Sequence, residues 1–211
     1  MSEPKQPRSG PSIQPRSALV ERITRETKIK LSLDLDGEGK STIQSGCGFF
    51  NHMLELFCCH GFFDVEIVAE GDTEVDYHHL LEDTGICLGQ GLQQALGSRE
   101  GIRRYGGMRI PMDETLAECV IDLSGRPFLV FTYPDDLLPA TVDIEAFEGF
   151  FRGFAVHAGA TLHVRIVYGR GWHHGMEALF KAFAVSLDHA VGLDTRRKGV
   201  PSSKALLDGS R

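Results

Sequence analysis

The stretches HHLLEDTGICLGQGLQQAL (residues 78–96) and HHGMEALFKAFAVSLDHAV (residues 173–191) decide the reading of this chain. Both open on HHxxE, and when they are laid together Leu92 falls opposite Leu187 and Ala95 opposite Ala190. In the first, Leu81, Leu88, Leu92 and Leu96 recur at helical spacing, the mark of an amphipathic helix. Two such helices, 95 residues apart, point to a duplicated unit.

The segments that lead into the two helices also run in parallel. Ahead of the first, TKIKLSLDL (residues 27–35) alternates polar and apolar residues, and Asp36-Gly37 follows as a turn signal. This predicts a strand leading into a hairpin. A helix is expected over Phe49–Cys59, a strand over Phe63–Val68, and, after Gly71-Asp72, the helix His78–Leu96. Ahead of the second, strands are expected over Met108–Leu116 and from Glu118 through Leu123 to about Phe131. A helix Ile144–Ala158, a strand Thr161–Tyr168 and the helix His173–Val191 complete it. The fold class expected is α+β: two fused ββαβα half-domain repeats, with the helices packed between two mixed sheets. The expected divisions are a tail at 1–18, repeats at 19–106 and 107–197, and a C-terminal segment at 198–211. Residues 1–18 are rich in Pro, Ser, Arg and Gln without apolar period, and are expected to be disordered.

With 211 residues and 42% hydrophobic content, the chain can build a substantial core. Its formal net charge of −7 argues against binding a nucleic-acid backbone, so an anionic substrate must meet a local basic cluster. No apolar run approaches the roughly 20 residues of a membrane helix. Five cysteines without framework spacing, and no secretory apolar segment, point to a reducing, cytoplasmic setting.

On a helix, His78 and Glu82 share one face, as do His173 and Glu177, so each imidazole and carboxylate can reach one ion. His79 and His174 lie about 100° further round. Each HHxxE is therefore expected to serve two different ions. A single helix-initial histidine pair is ordinarily a solvated helix end; its duplication favours metal. Imidazole with carboxylate suits Zn, Mn, Fe, Co or Ni, and the order HHxxE is not the HExxH of zinc proteases. His52, on the preceding helix, is a further candidate ligand. Arg104, Arg126, Lys181, Ser202, Ser203 and Lys204 are candidate anion contacts, since guanidinium, ammonium and hydroxyl groups all donate to phosphate. His60, His157, His163 and His189 are read as structural.

The segments RITRETKI, GCGFFNHML, GDTEVDYHHLLEDTGICLGQ, PMDETL, DLSGRPF, TLHV, HHGMEALFKAFA and PSSKALL occur in this order from about residue 22 onward. Over nearly its whole length the chain thus resembles the imidazoleglycerol-phosphate dehydratases of histidine biosynthesis. The resemblance implies a lyase that forms imidazole acetol phosphate, with two manganese ions per active site and a 24-subunit shell whose active sites are shared between subunits. It implies His52, His78, His79, Glu82, His173, His174 and Glu177 as metal ligands, with His79, Glu82, His174 and Glu177 serving catalysis through the metal. Glu26 becomes an acid/base group, and Arg104, Arg126, Lys181, Ser202 and Lys204 hold the substrate.

The family commonly has His immediately before the Phe-Phe pair of the second half, where this chain has Gly149. One expected ligand is absent. His157 lies about 12 Å further along the helix and is expected not to replace it. An alternative reading follows: a metal-assembled homologue with weakened or altered activity.

Overall fold

The computed structural model describes residues 15–137, 142–204, 206 and 207. Its first half runs β1 Ser17–Ile23, β2 Thr27–Asp34, β3 Ser41–Gln44, α1 Gly48–Gly61, β4 Asp64–Gly71 and α2 His78–Leu96. The second repeats the order with β5 Tyr105–Met112, β6 Thr115–Asp122, β7 Phe128–Thr132, α3 Ile144–Ala158, β8 Thr161–Tyr168 and α4 Trp172–Val191. Each half forms a four-stranded mixed sheet, ordered β1-β2-β4-β3 and β5-β6-β8-β7. Only the outer short strand of each is parallel to its neighbour.

The protein is thus α+β with repeated half-domains, and each half carries one strand more than expected. In the first half the missed strand is β1, whose inward positions are Ala18, Val20 and Arg22. A charge at an inward position breaks the apolar alternation that announces a strand. Arg22 is held there by an ion pair with Asp83 of α2 at 2.9 Å, and Thr27 also donates to Asp83. Residues 17 and 18 therefore belong to a strand rather than to a tail; residues 1–14 lie outside the described residues.

The hairpin expected at Asp36-Gly37 does not form. The free edge of β2 is taken by β4, in register from Thr27 opposite Gly71 to Asp34 opposite Asp64. The chain after β2 crosses the start of β4 instead, where Asp64 Oδ1 accepts from the backbone N–H groups of Glu38 and Lys40, both at 2.8 Å. The hairpin lies one step earlier, at Thr24–Glu26, where the Thr24 hydroxyl accepts from the N–H groups of Glu26 and Thr27.

Two expected strands of the second half are likewise divided. Met108–Leu116 is broken by a turn at Asp113-Glu114, with Asp113 at φ 48°. The run from Glu118 to Phe131 is broken at Ser124-Gly125-Arg126-Pro127, where Gly125 takes φ 83°, a region that favours glycine.

All four helices lie between the sheets. α2 packs on β1 and β2, α4 on β5 and β6, α1 on β3, and α3 on β7 and β8. The halves interlock, because α1 packs on α4 and α3 on α2. The seam is aromatic: Phe50, Phe147, Phe150, Phe151, Phe180 and Phe183 are fully buried and linked by ring contacts, with Phe183 joined through Phe151, each contributing about 1.5–3 kcal/mol by burial. Where α2 meets α3 the backbones touch. A Cβ on Gly85 would lie 2.1 Å from the Phe150 carbonyl oxygen, so only glycine allows this approach. That contact sets the spacing of the site beside it.

Candidate metal centre

Both HHxxE motifs begin a helix, at His78 of α2 and one residue into α4 at His173. The histidines therefore stand at helix starts near the turn ends of the two long hairpins, β1–β2 and β5–β6.

The second motif is joined by α1. His52 Nε2 lies 3.1 Å and His173 Nε2 3.0 Å from Glu177 Oε1, while Lys181 Nζ donates to Glu177 Oε2 at 3.1 Å. One ligand atom from each of His52, His173 and Glu177 lies within 4.8 Å of the others. Donors about 2.1 Å from one ion sit roughly 3–4 Å apart, so this set fits a metal with little adjustment. Burial opposes the charge on Glu177, but His52, Lys181 and His173 outweigh it and hold the carboxyl at about 2. An acidic carboxyl beside two imidazoles is ready for a cation.

The first motif meets α3 in the corresponding way, with a different result. His78 Nε2 lies 3.7 Å from Glu82 Oε2, and a Cβ on Gly149 would lie 3.5 Å from Glu82 Cβ and 3.7 Å from the His78 ring. Gly149 thus faces the His78–Glu82 pair as His52 faces His173–Glu177, but brings no donor. His157 bonds the Gly153 carbonyl of its own helix at 2.9 Å and brings no donor to this pair.

The remaining two histidines are turned away from these clusters. His79 Nδ1 lies 3.0 Å from Asp72 Oδ2, and its Nε2 is 3.9 Å from Glu26 Oε2. Hydrogen bonding to Asp72 raises the His79 pKa, aided by the charge of Glu26. His174 Nδ1 lies 3.1 Å from Glu114 Oε2, and Asp113 adds a third possible donor there. A carboxylate at Nδ1 fixes the ring and leaves Nε2 to face outward, the usual arrangement around metal-binding histidines.

Asp72, Asp113 and Glu114 were not singled out from the sequence. Glu114 occupies in the β5–β6 turn the place Glu26 occupies in the β1–β2 turn, so matching the hairpins as well as the helices would have found it.

The expected anion contacts divide between two places. Arg104 bonds both oxygens of Asp122 at 2.7 and 3.1 Å and donates to the Pro201 carbonyl at 2.9 Å. Arg126 lies 3.9 Å from Asp122, so Arg104, Arg126 and the segment bearing Ser202 and Lys204 form one neighbourhood. Lys181 stands apart, beside Glu177 and the Met112 sulfur at 3.5 Å. Arg104 and Asp122 mark one end of the β5–β6 hairpin, and Glu114 the other. Seven residue steps at about 3.4 Å each separate the basic neighbourhood from the histidines by about 24 Å.

The sequence profile described as imidazoleglycerol-phosphate dehydratase matches residues 45–187. The chain belongs to the imidazoleglycerol-phosphate dehydratase family. The imidazoleglycerol-phosphate dehydratase of Syntrophobacter fumaroxidans is 53% identical over 195 residues, covering 91% of this chain and 98% of that protein. The one from Methylorubrum extorquens is 51% identical over 91% of this chain and all of its own length. The crystal structure of the Staphylococcus aureus dehydratase superposes with a TM-score of 0.74 at 38% identity, over 84% of this chain and 99% of that one. That from Pyrococcus furiosus gives 0.77 at 29% identity, over 89% of this chain and all of that one.

Family membership makes the protein an enzyme, a dehydratase. The cysteines are free, and burial pushes the Cys58, Cys87 and Cys119 thiols up to about 12, so these three are not poised as nucleophiles. Among the described residues no helix is long and apolar enough to cross a membrane.

Proposed function

We propose that the protein removes water from imidazoleglycerol phosphate to give imidazole acetol phosphate, as a step of histidine biosynthesis in the cytoplasm, with two manganese ions per active site. The convergence of His52, His173 and Glu177 from separate halves of the chain carries this reading. His52, His173 and Glu177 would hold one ion, and His78 and Glu82 the other. His79 and His174, each turned outward by its carboxylate, would reach ions bound chiefly by a neighbouring subunit. Manganese held by these residues would supply Lewis acidity toward the substrate.

The chemistry left to the chain is proton transfer and positioning. Glu26, exposed in a short hairpin turn beside His79, takes the proton from the second carbon out from the ring. The hydroxyl on the carbon next to the ring leaves with a proton as water, and the resulting enol, Im–CH=C(OH)–, becomes the ketone. Arg104, Arg126, Ser202 and Lys204 hold the phosphate, and Lys181 keeps Glu177 charged beside its histidines.

An imidazole ring on a three-carbon phosphate spans roughly 10 Å. It cannot bridge the 24 Å or so between the histidines and the basic neighbourhood of one chain. A second copy must supply the phosphate end, which supports an active site shared between subunits of a 24-subunit shell.

Gly149 favours a second reading, a metal-assembled homologue whose activity is weakened or altered. Dehydration of imidazoleglycerol phosphate with added manganese, together with metal analysis and the mass of the assembly, separates the two. Turnover with bound metal supports the dehydratase; a metal-bound assembly that leaves the substrate intact supports the homologue.

A further inference from the structure

Gly149 opens a cavity of about 360 Å³ lined by His78 and Glu82 of α2 and by Glu145, Glu148, Gly149 and Arg152 of α3. These are facing stripes of two helices: positions one turn apart on α2, and positions spanning two turns on α3. Glu148 is paired with Arg152 one turn on. The Glu145 backbone N–H is taken by the Asp143 cap, but its carboxylate makes no hydrogen bond or ion pair among the described residues.

We infer that Glu145 supplies the third side-chain ligand of the ion held by His78 and Glu82, in place of the imidazole that Gly149 lacks. The inference rests on the metal reading proposed above. A helical side chain leans toward the N-terminus, so a ring at position 149 would lie over the turn that contains Glu145. Glu145 is also one full turn from Gly149, and residues so spaced are neighbours on a helix surface. The exposed Glu145 carboxylate does not already lie within 4.8 Å of both the His78 and Glu82 ligand atoms, and Gly149 leaves the space into which a rotation of its side chain would bring it.

Charge agrees with this assignment. With Glu148 neutralised by Arg152, Glu82 and Glu145 remain, and two carboxylates balance one divalent cation. At the other cluster Glu177 is already balanced by Lys181, and two imidazoles complete the set. The two positions would thus differ in donor type, one richer in oxygen and one in nitrogen, and oxygen donors favour manganese over softer ions.

The test is manganese titration of the metal-stripped, full-length protein, with bound metal counted by elemental analysis. Wild type is expected to bind two ions per chain. Glu145→Gln should bind the second at least tenfold more weakly and leave the first unchanged, which also shows that the variant is folded. Adding Gly149→His to Glu145→Gln should restore the second ion, and Glu148→Gln should alter neither. Superimposable isotherms for wild type and Glu145→Gln overturn the assignment, as does loss of the second ion in Glu148→Gln instead. A wild type that binds one ion overturns the site at His78; one that binds none overturns the metal reading as a whole.

Discussion

The two histidine clusters descend from one motif and differ in what meets it. At α4 the Glu177 side chain is 10% exposed and is gripped by His52, His173 and Lys181; at α2 Glu82 is 40% exposed and, among the described residues, its carboxylate pairs only with His78. The helices that carry both motifs, and the strands beneath them, are matched element by element. The clusters diverge in the crossing helix, where α1 brings a histidine and α3 a glycine, and one turn after the motif, where α4 carries Lys181 and α2 Ile86. A duplicated frame can thus keep two histidine clusters in place while the groups around them drift apart.

Removing each cluster's carboxylate is the strongest way to break this comparison. Glu177→Gln leaves Lys181 without its counter-charge and two histidines without their shared acceptor, costing about 1–3 kcal/mol in stability. It should also lower manganese affinity and turnover at least a hundredfold. Glu82→Gln disturbs one looser contact and should cost less on every measure. Chemical unfolding, metal titration and steady-state kinetics on both variants check the order; an equal or larger loss in Glu82→Gln would reverse it.

The same contrast explains what the sequence made legible. HHxxE was readable because helical spacing alone puts His and Glu on one face, and the repeat doubled the signal. His52 was readable as a polar residue in an apolar helix. The pairing of α1 with α4 and of α3 with α2 was not, because contact between halves depends on tertiary packing such as Gly85 against Phe150. Asp72 and Glu114 went unread for a similar reason: each lies in a loop, and only the fold brings it to a histidine Nδ1. β1 was hidden by the inward charge of Arg22.

The turn glutamates give a second, smaller contrast. Glu26 and Glu114 occupy matching hairpin turns, but Glu114 is bonded to His174 while Glu26 lies 3.9 Å from His79, whose Nδ1 is already held by Asp72. The bonded carboxylate is suited to orienting a ring and the looser one to carrying a proton. Glu26→Gln should slow turnover about a hundredfold with metal content unchanged. Glu114→Gln should act through His174, lowering manganese affinity and turnover together by about tenfold. Should Glu114→Gln prove the slower enzyme with its metal intact, the two roles would have to be exchanged.

The smallest effect lies at the far ends of the hairpins, where each half closes with an arginine and an aspartate. In both, the arginine's carbonyl accepts from the leucine that follows the second strand of the hairpin, Leu35 to Arg16 and Leu123 to Arg104. Arg104 then turns to Pro201 and the C-terminal segment; Arg16 donates to the Val191 carbonyl at 2.6 Å and pairs with Asp36. The Arg16 hydrogen bond lowers the Asp36 carboxyl below its ordinary value. A carboxyl lowered in the folded state binds its proton more readily when unfolded, so its contribution is complete above the unfolded value of about 4 and is lost as pH falls below it. Because Asp36 is 54% exposed, solvent screening limits that contribution to about 0.5 kcal/mol. Wild type should therefore lose slightly more stability than Asp36→Asn between about pH 5 and pH 3, with the two curves converging at the acid end. Urea unfolding across that range measures the difference; parallel curves would mean that the Arg16 clasp in the first half is held by the Val191 carbonyl alone.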